Sequence, residues 1–214
     1  DLVKRDVVME IQTDSTTCVD ADMEGKYLLI EKLTGNFQVY DGETFEFLGE
    51  TPSVYTSRSG NYQYICEEGI LVDVAVVEEE GNTSYTLVFV DLNTMELLSE
   101  YPLGDKIPVD IKVQSGVAYV MSNVLVNHMT DADSYTTAIS VADGSLLWEN
   151  IRSQQFASLL LFPHGEEATD LLAATKESFQ LINMQTGEVS FVEDINASPV
   201  SAYKFTNSNN FLLF

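Results

Sequence analysis

The side chains able to carry out catalysis are few in this 214-residue sequence, and their spacing gathers none of them into a reactive set. There are two histidines, His128 and His164, and the second stands between Pro163 and Gly165 in an expected tight turn. Two cysteines, Cys18 and Cys66, cannot build a disulfide framework or a four-ligand zinc site, and in strand-like surroundings they read as buried thiols. No Gly-x-Ser-x-Gly elbow, phosphate-cradling glycine loop, His-Glu-x-x-His or Cys-x-x-Cys occurs. Carboxylates are abundant, 34 in all, so a pair placed for acid–base work on a glycosidic bond could arise by chance, and no spacing singles one out. The expectation is a chain that is not an enzyme and holds no cofactor.

Binding chemistry has more candidates. Lys32, Lys106, His128, Arg152 and Lys176 are cationic or titratable groups that could together hold an anion, although Glu31, Glu78, Asp105 and Asp133 lie in the same stretches. Asp131 and Asp133 offer oxygen ligands of the kind calcium takes, without the glycine and bidentate glutamate of a true calcium loop. They fall in Val124 to Ser134, the longest expected irregular insert. Glu78-Glu79-Glu80-Gly81 reads as a hairpin tip whose charge discourages edge-to-edge aggregation. The net charge of −24 repels nucleic acid and anionic membrane surfaces, which excludes both as expected partners. The longest apolar run, Ile70 to Val77, has the length of a strand, so this segment is not expected to enter a membrane.

The elements that must position these groups are strands. Apolar residues, 45% of the chain, follow period two or short continuous runs, never the i, i+3, i+4, i+7 of an amphipathic helix. Four segments repeat one pattern of strand, polar turn and strand: Phe37 to Leu48, Leu87 to Leu98, Ala138 to Trp148 and Phe179 to Phe191. Asp41, Asp91, Ser140 and Asn183 open the four turns at spacings of 50, 49 and 43, and a short polar side chain there can bond a backbone amide two residues on. Between them a second strand pair recurs: Cys18 to Ile30, Val54 to Ile65, Ile111 to Met121, Ala157 to Ala174 and Ala202 to Phe214. A repeat of this length built from four strands is the unit of a β-propeller blade, so the expected fold is all-β: a β-propeller of four-stranded antiparallel blades, about five repeat units in a single domain over residues 1–214.

The ends bear on closure. Val7 to Ile11 reads as a terminal strand and Ala202 to Phe214 as a first pair, which would meet in one composite blade of a five-bladed ring. The alternative is a cut-out of a longer propeller, which the bare Phe211-Leu212-Leu213-Phe214 strand favours. In either arrangement Lys32, Lys106, His128, Arg152 and Lys176 fall in the loops of one rim, and Trp148 occupies a plug position in the core.

The hairpins Ala142-Asp143-Gly144-Ser145-Leu146-Leu147-Trp148 and Gln185-Thr186-Gly187-Glu188-Val189-Ser190-Phe191 resemble the Asp-x-x-Thr-Gly-x-x-Leu-Trp signature of the PQQ-like propellers, a bacterial repeat family akin to the WD40-like (YVTN-type) propellers. Asp41 with Thr44 and Asp91 with Thr94 keep part of it and lack the glycine. Quinoprotein dehydrogenases belong to that family, but the residues that hold their cofactor and calcium have no match in this sequence. The resemblance therefore implies the fold and leaves the chemistry open. The function expected is a non-catalytic binding or sensing module for a protein or small ligand, on the extracytoplasmic side, secreted or membrane-anchored. Its alternatives are a fragment of a propeller hydrolase or lyase with acidic channel residues, and a structural spacer of a larger membrane-anchored protein.

Overall fold

A computed structural model describes residues 10, 16–21, 25–32, 34–53, 65–127, 131–153, 156–161, 169–175, 178–194, 202–204 and 211–213. Among these, every regular element is a strand. Thr16–Ala21 (β1), Tyr27–Lys32 (β2), Phe37–Asp41 (β3) and Phe47–Glu50 (β4) form a sheet in chain order. So do Ile65–Glu67 (β5), Ile70–Glu79 (β6), Asn82–Asp91 (β7) and Glu96–Gly104 (β8). The third sheet joins Ile107–Gln114 (β9), Val117–Asn127 (β10), Asp131–Ser140 (β11) and Leu146–Arg152 (β12), and the fourth joins Ala157–Leu161 (β13), Asp170–Thr175 (β14), Ser178–Asn183 (β15) and Val189–Asp194 (β16). Ala202–Lys204 (β17) and Phe211–Leu213 (β18) pair with each other.

All four repeated hairpins are present, as β3/β4, β7/β8, β11/β12 and β15/β16. Two expectations are corrected. The first pair of the second sheet is β5/β6, turning at Glu68-Gly69, whereas the sequence pattern had put it at Val54 to Ile65, of which 54–64 lie outside the described residues. The expected irregular insert at Val124 to Ser134 is strand on both sides, paired from Val124↔Asp133 to Asn127↔Asp131, while 128–130 lie outside the described residues. The expected strand at Val7 to Ile11 lies outside the described residues.

Central strands are buried on both faces, which is why β6 is apolar from Ile70 to Val77 apart from the buried Asp73. The fourth strand of a sheet is open to solvent, as β4 shows at three of its four positions. The chain divides into two compact units, Asp1–Ala75 with Val88–Leu98 and Val76–Leu87 with Ser99–Phe214. In the first, Tyr27, Leu29, Phe37 and Val39 of β2 and β3 pack on Leu71, Ala75, Val88 and Val90 of β6 and β7. In the second, Tyr119, Met121 and Ala138 pack on Ala157, Leu171, Ala173 and Ile182, with Trp148 and Met184 at the margin. Each such side chain taken fully out of water contributes about 1.5–3 kcal/mol, and this burial fixes the stacking of the sheets.

The turns between third and fourth strands repeat in atomic detail. Phe45, Met95, Gly144 and Gly187 each donate a backbone bond to the carbonyl four residues earlier, at Asp41, Asp91, Ser140 and Asn183. All four have φ between 60° and 73°, the left-handed region. Asp41 Oδ1 accepts from the amides of Glu43 and Thr44 and from Thr44 Oγ1 at 2.7–3.0 Å, and Asn183 Oδ1 accepts from Gln185, Thr186 and Thr186 Oγ1 at 2.9–3.1 Å. In the third sheet the roles shift, and Asp143 Oδ1 accepts from the amide and hydroxyl of Ser145. Turn chemistry is thus what the four equivalent polar positions do.

Candidate binding surface

Hydrogen-bond register defines where the cationic candidates sit. Ile107, Asn123, Ser134 and Arg152 form one row across the third sheet, so the β8–β9, β10–β11 and β12–β13 connections share one end of it. Lys106 and Arg152 lie at that end, and Lys32 closes β2 at the corresponding end of the first sheet. His128 and Lys176 lie outside the described residues.

Each described cation already has a partner. Lys32 Nζ bonds Glu50 Oε1 at 2.8 Å, and Asn36 Nδ2 donates to the same oxygen. Lys106 forms an ion pair with Glu149 and lies 4.5 Å from the centre of the Tyr135 ring, while Thr137 Oγ1 donates to the same Glu149 oxygen at 3.1 Å. Burial raises the Tyr101 hydroxyl above its ordinary value, partly offset by the Lys106 charge. Arg152 borders a cavity of about 10 Å³ shared with Met121, Ser134, Thr136, Thr175 and Gln180, room for about one water and not for an anionic ligand of any size. Asp131 and Asp133 stand two apart in β11, and among the described residues no group of three or more His, Cys, Asp or Glu side chains converges as a metal site.

Among the described residues, most of the exposed large apolar side chains lie elsewhere, on the fourth strands, with Leu125 and Val126 of β10 the exceptions. Phe47 and Leu48 of β4 are 55% and 46% exposed, Leu97 and Leu98 of β8 are 46% and 36%, and Leu146 and Leu147 of β12 are 49% and 50%. Ile151, Val189 and Val192 are exposed as well. Two consecutive open residues break the alternation of a strand, and the register gives the cause. Tyr40 pairs with Phe47 and Val39 with Gly49, so Leu48 is an extra residue; Leu147 is extra between Leu146 and Trp148, and Ser190 between Val189 and Phe191. A β-bulge at the start of the strand leaves both residues of the doublet on the open side and turns the next one inward, to the half-buried positions of Gly49 in β4 and Trp148 in β12.

That returning residue meets the left-handed position of the following sheet. Trp148 Nε1 donates to the Met184 carbonyl at 2.9 Å, and a Cβ on Gly187 would lie 2.7 Å from the indole. At the equivalent contact inside the first unit the sizes are reversed: Gly49 faces Met95, whose Cγ would be 2.9 Å from an added Cβ. At Ser99 and Gly144 both are small; Ser99 Oγ donates to the Val141 carbonyl at 2.6 Å, and a Cβ on Gly144 would fall 2.3 Å from the Glu100 carbonyl oxygen. Bulge, doublet and plug occur together in β4 and β12, and doublet and plug recur in β8. The doublets were missed in the sequence, where their signal was the pair of adjacent apolar residues after each turn.

Comparison with solved structures places this architecture among β-propellers. The β-propeller domain of Cps50 (Swd1) from Myceliophteria thermophila superposes with a TM-score of 0.60 at 12% identity, covering 97% of this chain and 64% of that one. BamB from Moraxella catarrhalis superposes with a TM-score of 0.51 at 15% identity, covering 86% of this chain and 54% of that one. The chain therefore spans less than two thirds of the length of either. No protein-family model matches the sequence, and no curated protein matches it. At these identities the likeness establishes the fold: all-β, with four-stranded blades of the propeller type.

Proposed function

We propose that this chain is a non-catalytic binding module that engages a protein partner. One observation carries the reading: apolar doublets stand exposed at the same position of the fourth strand in three successive sheets, on a chain of net charge −24. Exposed apolar surface costs free energy in water, and surface of this kind marks interaction sites. Of the candidate cations, Lys32 and Lys106 are engaged by Glu50 and Glu149, which favours a protein over an anionic ligand. The same proposal assigns an extracytoplasmic setting, on the acidic composition and the scarcity of cysteine.

A displayed-peptide selection against the purified chain tests it. The expected result is convergence on a recurrent pattern that binds saturably and loses affinity for a Leu98→Asp, Leu147→Asp variant. Selection without convergence, or turnover of a compound in a hydrolase and lyase screen, would refute the reading.

A further inference from the structure

Among the described residues, the fourth strand of each four-stranded sheet has a hydrogen-bonded neighbour on one side only, so along its other side a row of N–H and C=O groups is open to another strand. Beside that row stand the doublets Phe47-Leu48 and Leu97-Leu98 and the pair Val189 and Val192. The strands' own charged side chains have one sign, although Lys32 matches Glu50 at the end of β4 and the Lys106 charge reaches Tyr101 of β8. Strands β4, β8 and β16 contain no lysine or arginine, and exposed Glu46, Glu96, Glu100 and Glu188 flank or sit within their apolar residues. Strand β12 departs from this, ending in Arg152 and carrying Glu149 matched by Lys106.

We propose that the free margins of β4, β8 and β16 each accept an extended protein segment of alternating basic and apolar side chains, which adds to the sheet as a further strand. The inference rests on the reading of the chain as a binding module and names the partner's chemistry. Main-chain bonds to the open row would supply affinity, while apolar residues of the segment cover the doublets and its cations reach the flanking carboxylates. A helix is a poorer fit, because it has no free main-chain groups with which to satisfy the open row. A second copy of this chain is disfavoured, since two surfaces of net charge −24 would bring carboxylate against carboxylate. The bulges at the start of β4 and β16, and Pro102 within β8, restrict pairing to a short register and discourage indefinite stacking of sheets.

The test uses three eight-residue peptides on the full chain: alternating Lys and Val, alternating Glu and Val, and the Lys/Val peptide with proline at every other Val. Binding is read by fluorescence anisotropy, and location by amide hydrogen exchange. The Lys/Val peptide is expected to bind saturably and to slow exchange in β4, β8 and β16, with the other two at least tenfold weaker. A Leu48→Lys, Leu98→Lys, Val192→Lys variant, altered only at exposed positions, should bind it at least tenfold more weakly, whereas Ile151→Lys in β12 should not. A Glu46→Lys, Glu96→Lys, Glu188→Lys variant should invert the preference toward the Glu/Val peptide. Equal binding of the proline peptide would reduce the association to charge alone and overturn the proposal. Protection confined to loops, or unchanged affinity in both variants, would overturn the margin as the site and leave the binding-module reading standing. Absence of binding by all three peptides would overturn the proposal too, and the peptide selection would then decide the broader reading by itself.

Discussion

Asp41 and Asp143 show how much of this fold is held by single short side chains. Both carboxyls are drawn below their ordinary 3.8, Asp41 by bonds from the Thr44 amide, the Thr44 hydroxyl and the Glu43 amide, Asp143 by the hydroxyls of Ser140 and Ser145 and the Ser145 amide. A depressed folded pKa contributes stability that is fully present above the unfolded value and drains away as pH falls through the folded one. Unfolding midpoints should therefore drop as pH falls below about 4. Asp41→Asn, which keeps the acceptor and matches what Asn183 does in the fourth sheet, should shallow that slope and leave the midpoint at pH 7 nearly unchanged; a slope identical to the parent would contradict the assignment. Backbone strain offers a second handle. Glu80 and Gly81 both have positive φ, 51° and 83°, as a two-residue turn between right-twisted strands requires. Asn tolerates that region better than Glu, so Glu80→Asn should stabilise by about 0.5 kcal/mol in urea unfolding, with Glu80→Gln, which matches its charge, giving no gain.

Among strands, the contact between plug and turn is the element that passes information from one sheet to the next. Trp148 against Gly187 and Gly49 against Met95 fill the same space from opposite sides, so the volumes at the two positions should be coupled. Gly49→Trp alone should overpack against Met95, and Met95→Gly alone should leave a void; each is expected to cost about 1–3 kcal/mol. Together they recreate the Trp148–Gly187 arrangement, and the double variant should recover about 1–2 kcal/mol relative to the sum of the singles. Strict additivity in a double-mutant cycle would show that the positions do not share one space. Sequence patterns made the repeat legible because the turn residues Asp41, Asp91, Ser140 and Asn183 keep their chemistry while the strands vary. Glu68-Gly69 was not legible as the turn, since Gly60 within the alternating stretch Val54 to Ile65 offers a competing turn a few residues earlier. The Val124 to Ser134 strand pairing was hidden for a different reason: its strands are lined with Ser122, Asn123, Ser134 and Thr136, buried polar groups that read as loop. A bulge shifts register by one residue without changing composition, so the exposed doublets left only a faint trace.

Across the full chain, electrostatics sets folding and binding against each other. With 34 acidic and 10 basic residues, and Lys32, Lys106 and Lys112 already matched to Glu50, Glu149 and Asp110, the surplus carboxylates repel one another in the folded state. Raising ionic strength from about 20 mM to about 300 mM shortens the screening length from above 20 Å to under 6 Å or so, weakening that repulsion more than the short-range pairs. The folded chain should gain about 1 kcal/mol, a rise of roughly 2–4 °C in thermal midpoint. A cationic segment arriving at the strand margins meets the same field with the opposite consequence: steering is lost with salt, and its association rate should fall at least about tenfold over that range while dissociation changes less. Calorimetry and stopped-flow on one protein preparation measure both. Stability and association rate moving in opposite directions with salt is the expected signature of an acidic surface that is tolerated in the fold because a basic partner uses it; stability falling with salt would mean that the few ion pairs outweigh the surplus charge, and the electrostatic half of the binding argument would fall with it.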